Sequence, residues 1–227
     1  MSVLNKSKIF AKGCSRAKQG NIISEDAHAV FLEQGLLILS DGVGGHCDGD
    51  LASRELVSAI GSNIISHIIR DGAVLRKEIM RYHNTVMRSS DEKLLKQRPG
   101  ATVALVSAQG DKLYYANVGD SRIYIFRSGI LKQLSRDHIL GQSCSNILTS
   151  AIGVTPRLEI HSGMLSISAG DVILLSSDGL TDYVEDAIIA ELLNSNSDMD
   201  FILESLVNRA FENHTRDDVT LLLMQVI

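Results

Sequence analysis

The order in which short and long apolar segments follow one another constrains the fold of this chain more than any other feature. Short apolar runs rich in β-branched or aromatic residues occupy 29–32, 36–39, 102–106, 113–118, 123–126, 172–175 and 219–226, most of them bounded by Gly or Asp. Runs of that length and composition read as strands. Apolar residues at helical spacing fill about 51–69, where Leu56, Ile60, Ile64 and Ile68 share a face, and 74–95, with two shorter helical stretches at 187–193 and 201–211. Helices therefore arrive in pairs between groups of strands, a pattern that favours antiparallel sheets with helices packed outside them. The expected fold is α+β, a four-layer α-β-β-α sandwich of two mainly antiparallel sheets flanked by helix pairs. A doubly wound parallel sheet is the weaker alternative, and no glycine-rich nucleotide-binding motif follows any strand.

Without internal repeats or a Pro/Ser/Gly-rich divider, the 227 residues read as a single domain spanning 1–227, large enough to bury a core unaided by disulfides. The 27 acidic and 22 basic side chains leave a formal charge of -5 with no block of like charge. That argues against general nucleic-acid binding and against a basic membrane patch. No apolar run approaches the roughly 18 residues of a membrane span, and a cytoplasmic protein is expected. Cys14, Cys47 and Cys144 form no C-x-x-C pair, so neither a zinc site nor a disulfide framework is indicated. The sixth residue after each is Gly20, Ser53 or Ser150, which excludes the C-x5-R spacing of thiol-based phosphatases.

Chemistry is signalled by carboxylates placed directly after buried runs. The strand at 36–39 leads through Ser40 into Asp41-Gly42, and that at 172–175 leads through Ser176-Ser177 into Asp178-Gly179. A strand end fixes a carboxylate, and a neighbouring Gly lets backbone approach a bound ion closely. Oxygen donors of this kind suit Mg2+ or Mn2+ rather than zinc or copper. Asp-Gly is also a common hairpin turn, so either pair alone is an even wager. Ser24-Glu25-Asp26, Gly119-Asp120-Ser121-Arg122 and Arg216-Asp217-Asp218 strengthen the case.

The blocks S-E-D-A (24 to 27), L-S-D-G-V-G-G-H (39 to 46), G-A-T-V (100 to 103), A-N-V-G-D-S-R (116 to 122), D-H (137 to 138), S-D-G-L-T-D (177 to 182) and R-D-D-V-T (216 to 220) run in one order along almost the whole chain. In that order they resemble the metal-dependent Ser/Thr protein phosphatases of the type 2C family, in a compact bacterial style. The resemblance implies two Mg2+ or Mn2+ ions: Asp41 bridging them, the Gly42 carbonyl and Glu25 on one, and Asp178 and Asp217 on the other. Asp26 would hold metal-bound water, and Asp120 and Asp182, with Asp178, match positions for a third, weaker ion. Physical reasoning runs the same way, because several converging carboxylates stay ionised only when cations neutralise them. Asp41, Asp178, Asp217 and Asp26 are the expected catalytic set. Two ions about 3.5–4 Å apart acidify a bridging water and stabilise both the attacking and the leaving oxygen, so phosphate is released by direct attack of a bridging metal-bound hydroxide.

The chain departs from the family pattern in four places. The phosphate-binding Arg usually found about five residues before Asp26 is replaced by Asn21, leaving Arg16 as the candidate substrate ligand, against the alternative of a solvated surface charge. The histidine credited with general-acid chemistry in animal relatives is replaced by Val43, leaving His46 as a candidate proton donor, against a solvent-facing loop histidine. The segment 139–147 is short where bacterial relatives carry a longer flap, which should open the site and loosen selectivity. Asp218 stands where the family usually has Asn, either tightening metal binding or capping a turn.

The expected function is hydrolysis of phosphoserine and phosphothreonine in proteins, with a cognate Ser/Thr kinase and its substrates as partners, no nucleic acid, no membrane, and a monomeric state. A catalytically weak phosphoprotein-binding module of the same fold is the competing reading. Small-molecule phosphates or an acidic anti-sigma-type regulator remain substrates within the same chemistry.

Overall fold

The computed structural model describes residues 8–43, 49–65, 71–88, 99–141 and 147–227. In chain order its strands are β1 (Ile9–Arg16), β2 (Ala27–Phe31), β3 (Leu36–Ser40), β4 (Gly42–Val43), β5 (Gly100–Ala101), β6 (Val103–Gln109), β7 (Lys112–Val118), β8 (Arg122–Arg127), β9 (Ile130–Gln133), β10 (His161–Ser166), β11 (Val172–Ser176) and β12 (Val219–Val226). Helices α1 (Gly49–Ile65) and α2 (Gly72–Arg88) lie between β4 and β5 in the chain, and α3 (Asp178–Thr181), α4 (Asp186–Leu193) and α5 (Met199–Glu212) between β11 and β12.

Two five-stranded sheets result, ordered β1-β12-β11-β8-β9 and β10-β7-β6-β3-β2, with β4 and β5 forming a small separate pair. Every ladder is antiparallel. The expected four layers are present, and strand periodicity explains them. On β3, Leu36 and Ile38 pack with Leu56, Ile60, Ile64, Leu75 and Ile79 of the first helix pair. Leu37 and Leu39, pointing the other way, pack with Ile173, Leu175, Leu222 and Met224 of the opposite sheet. On β12 the alternation repeats, with Leu221 and Leu223 against Leu203 and Leu206 of α5. Both faces of the central strands are thus covered, which is why they read as unbroken apolar runs.

Three strands of the two large sheets carry no such run. β1 (IFAKGCSR) is an edge strand whose whole length pairs with β12, β10 (HSGMLS) is the edge beside β7, and β9 closes the far side of the first sheet. Edge strands need only one apolar face, so Lys12, Ser15 and His161 are tolerated there. The helical stretches read from the sequence match α1, α2, α4 and α5 within a few residues, although 66–69 and 89–95 of the first two lie outside the described residues. α5 starts at its cap, where the Asp198 carboxylate accepts the Phe201 N–H at 2.8 Å. Among the described residues no helix is long and apolar enough to cross a membrane.

Candidate metal centre

The carboxylates singled out from the sequence come from separated points of the chain, at strand ends of both sheets. Glu25 and Asp26 immediately precede β2, Asp41 follows β3, and Asp120 follows β7; Asp178 begins α3 beyond β11 and Asp182 caps its end, and Asp217 leads into β12. Neither Asp-Gly pair is a hairpin turn. Asp41-Gly42 runs straight on into β4, and Asp178-Gly179 opens α3. Both glycines are needed because backbones touch there. A Cβ at Gly42 would collide with the carbonyls of Gly49 and Glu25, and one at Gly179 with the carbonyl of Asp218. These approaches bring the Asp41 segment against that of Glu25, and the Asp178 segment against that of Asp217.

Uncharged polar groups fix the backbone around each acid. Thr102 Oγ1 accepts the Asp41 N–H at 3.0 Å, the Thr102 N–H donates to the Asp41 carbonyl at 2.8 Å, and Thr102 Oγ1 lies 2.7 Å from Ser121 Oγ. The Ser53 hydroxyl on α1 donates to the Glu25 carbonyl at 2.6 Å. His138 is buried, exchanging hydrogen bonds with Gly119, the residue before Asp120. The buried carboxylate of Asp218 accepts the Lys18 N–H on Oδ1 at 2.7 Å and the Glu25 N–H on Oδ2 at 2.6 Å. Asp218 therefore holds backbone 200 and 193 positions away in the chain rather than capping a local turn. Of these positioning groups, Thr102 lies within the G-A-T-V block, whereas nothing in the sequence marks Ser53 as a positioning residue.

Burial and mutual repulsion dominate the electrostatics. Asp41 is held well above the ordinary carboxylate range by burial, then by the charges of Asp26, Asp178, Asp217 and Asp120. Asp26 is raised to about 8 by burial, against hydrogen bonds from Thr220 and Ser177 that favour its charged form. Burial, reinforced by Asp178, lifts Asp120 to about 7, and burial with Asp217 and Asp182 lifts Asp178 to about 6. Asp182 is raised too, by burial first, with Arg122 pulling the other way. Asp26 Oδ2 and Asp178 Oδ1 are buried without a hydrogen-bond partner. Orphaned buried oxygens within a self-repelling set of carboxylates fit hard divalent cations in donor type and charge. Among the described residues, no group of three such side chains is already drawn together in ligand geometry. Instead a lysine stands among them: Lys18 Nζ lies 2.8 Å from Glu25 Oε2 and 3.7 Å from Asp217 Oδ1. Its hydrogen bond to Glu25 strengthens its hold on the proton, so it is an ammonium.

Other candidates lie elsewhere. Arg16 ends β1 with its guanidinium 2.7 Å from Asn208 Oδ1 and 5.3 Å above the Phe211 ring, on the α5 side of the sheet. It is engaged with α5 rather than with the carboxylates. His46 lies outside the described residues, as do Cys47 and Cys144. The Cys14 thiol is pushed up to about 11 by burial, which suits an inert structural cysteine. Arg122 is structural, gripping Asp137 at 2.8 and 2.9 Å and donating to the Tyr124 hydroxyl. The short segment after His138 is closed by an antiparallel bridge of Ile139 to Leu148, with the Leu140 N–H donating to the Ile147 carbonyl at 2.9 Å.

Comparison with known proteins gives a consistent set of relatives. The family model described as protein phosphatase 2C matches residues 13–221. The serine/threonine phosphatase stp of Listeria monocytogenes is 28% identical over 227 residues, covering 89% of this chain and 90% of that protein. Among solved structures, the serine/threonine phosphatase Stp1 from Staphylococcus aureus superposes with a TM-score of 0.89 at 26% identity, covering 98% of this chain and 96% of that one. PppA, described as a key regulatory component of T6SS in Pseudomonas aeruginosa, superposes with a TM-score of 0.86 at 28% identity, covering 98% and 99%.

Proposed function

The chain belongs to the protein phosphatase 2C family, and from that membership we propose that it is a metal-dependent protein serine/threonine phosphatase that hydrolyses phosphoserine and phosphothreonine directly, without a phosphoenzyme. The observation that carries this reading is the set Asp26, Asp41, Asp120 and Asp178, each raised by burial and by the charge of neighbouring aspartates at the converging strand ends of two sheets. A fold that gathers carboxylates at such a cost is accounted for by cations that neutralise them. The family is metal-dependent, and the donor set favours Mg2+ or Mn2+. Asp41 would serve both ions, with Glu25 and the Gly42 carbonyl on one side and Asp178 and Asp217 on the other. Asp120 and Asp182, with Asp178, would hold a third. When bound, such ions supply an acidified water as the nucleophile and neutralise the oxygens around phosphorus.

The residues of this chain do the rest. Thr102 and Ser53 hold the Asp41 and Glu25 backbones against drift, and Asp26, whose charged form Ser177 and Thr220 favour, is the group able to accept or orient a proton beside the reacting phosphate. The compact form resembles bacterial phosphatases that oppose a partner Ser/Thr kinase, and such a kinase and its substrates are the proposed partners of a monomeric enzyme.

The binding-module reading draws on the missing phosphate-binding Arg and the short 139–147 segment, and the hydrogen bond of Arg16 to Asn208 of α5 favours it. Hydrolysis of p-nitrophenyl phosphate and a phosphothreonine peptide, with and without Mn2+, separates the two. Wild type should turn over both only with metal, and Asp41→Ala and Asp178→Asn should not. Metal-independent turnover, or none at saturating Mn2+, would overturn the enzyme.

A further inference from the structure

A phosphate monoester carries close to two negative charges near neutral pH, and a site walled with carboxylates repels it unless a cation meets it. Among the described residues, the ion pairs that reach the site carboxylates come from one side chain, Lys18. Two nearby arginines are committed elsewhere: Arg16 to Asn208 and Phe211, Arg122 to Asp137 and Tyr124.

The position of Lys18 is built rather than incidental. Its own N–H and that of Glu25 donate to the two oxygens of one buried carboxylate, Asp218, so the loop between them is pinned at both ends. The turn that follows is closed by the Asn21 N–H donating to the Lys18 carbonyl at 3.0 Å. Asn21 occupies the place where the family usually carries its phosphate-binding Arg, and it is exposed. The pinned loop delivers a different cation, three residues earlier, to the same carboxylates.

Resting on the phosphatase reading, we propose that the Lys18 ammonium binds the phosphate oxygens of the substrate, and that Asp218 is the residue that positions it. Glu25 and Asp217 hold either the ammonium or a divalent cation at the same oxygens. Once those oxygens are taken, the flexible four-carbon stem turns the ammonium to the next anion within reach, the incoming phosphate. Lys acts as a point charge where Arg would grip bidentately, so orientation falls to the remaining contacts and Lys18 contributes mainly affinity.

The test titrates inorganic phosphate calorimetrically into the Mn2+-loaded protein, beside a Mn2+ titration and steady-state kinetics on a phosphothreonine peptide. Lys18→Ala should weaken phosphate binding about tenfold or more, the loss expected for one charge-assisted contact. KM should rise in step while kcat falls less, with Mn2+ affinity unchanged or tighter. Lys18→Arg should recover most of the loss, and Arg16→Ala should match wild type. Asp218→Asn should weaken phosphate on its own and cost less in a Lys18→Ala background than in wild type, because part of its effect runs through Lys18 and the rest through the Glu25 N–H. Unchanged phosphate affinity in Lys18→Ala overturns the proposal, as does a parallel loss of Mn2+ and phosphate affinity, which would mark a structural role. A wild type without measurable phosphate binding also overturns it. A wild type that binds phosphate through Lys18 yet hydrolyses nothing would defeat the enzyme reading and leave this one standing.

Discussion

The Asp218 carboxylate accepts the backbone N–H of Glu25 at 2.6 Å while its other oxygen accepts that of Lys18, so one buried side chain joins β12 to both ends of the loop that leads into β2. An asparagine, the usual family residue at this position, has a single acceptor oxygen and would turn an NH2 group toward one of the two N–H donors. Asp218→Asn should therefore destabilise the fold by about 1–3 kcal/mol, the cost of one unsatisfied, partly buried N–H facing another donor. Urea unfolding measures it. A variant as stable as wild type would mean that the two bonds carry no net weight.

The pH dependence of stability should be inverted in the metal-free protein. Asp26, Asp120 and Asp178 bind protons more tightly folded than unfolded, with values of about 8, 7 and 6 against an ordinary 3.8. Between these limits the native state holds more protons than the unfolded chain, so unfolding free energy falls as pH rises. In EDTA, the Tm at pH 5 should exceed that at pH 8. Mn2+ binds the deprotonated oxygens, so its stabilisation should be larger at pH 8 than at pH 5. A Tm in EDTA that climbs from pH 5 to pH 8 would contradict the picture of a self-repelling cluster.

Asp41→Asn should separate function from stability. Removing its charge relieves the repulsion among Asp26, Asp178, Asp217 and Asp120, and the metal-free variant should melt higher than wild type, by about 0.5–2 kcal/mol in stability. Activity should move the other way. Residues that merely orient a metal ligand are worth about 10–100-fold, so loss of the proposed shared ligand should cost more than about 100-fold in kcat/KM with Mn2+. Thermal melts in EDTA and peptide assays with Mn2+ read the two halves independently.

Asp41, Asp120 and Asp178 are legible because each follows an apolar run, and a strand end is a local property of sequence; Glu25, Asp26 and Asp217, which precede strands, are legible only through their motifs. What holds the carboxylates is not. Lys18 and Asp218 are 200 positions apart, and no spacing rule connects a lysine in one loop to an aspartate at the far end of the chain. Arg16 shows the same limit at short range. It ends an edge strand, where the direction of a side chain depends on a one-residue register, and pairing with Val219 turns it toward α5. β1 itself escaped notice because an edge strand requires no continuous apolar run.

Thr102 offers the sharpest test of how the site is supported, because its hydroxyl serves two buried partners at once. Oγ1 accepts the Asp41 N–H and shares a proton with Ser121 Oγ, and both Thr102 and Ser121 are fully buried. Thr102→Val keeps the shape of the side chain but leaves the Asp41 N–H and the Ser121 hydroxyl without that partner. Leaving buried groups unsatisfied costs about 1–3 kcal/mol each, and the loss falls on the backbone that aims Asp41. The variant should be less stable by that order and should bind Mn2+ about 10–100-fold more weakly. Thr102→Ser, which keeps the oxygen, should retain most of the Mn2+ affinity while losing some stability from the missing methyl. If Val and Ser weaken Mn2+ binding equally, packing of the methyl group rather than the hydrogen bond holds Asp41 in place.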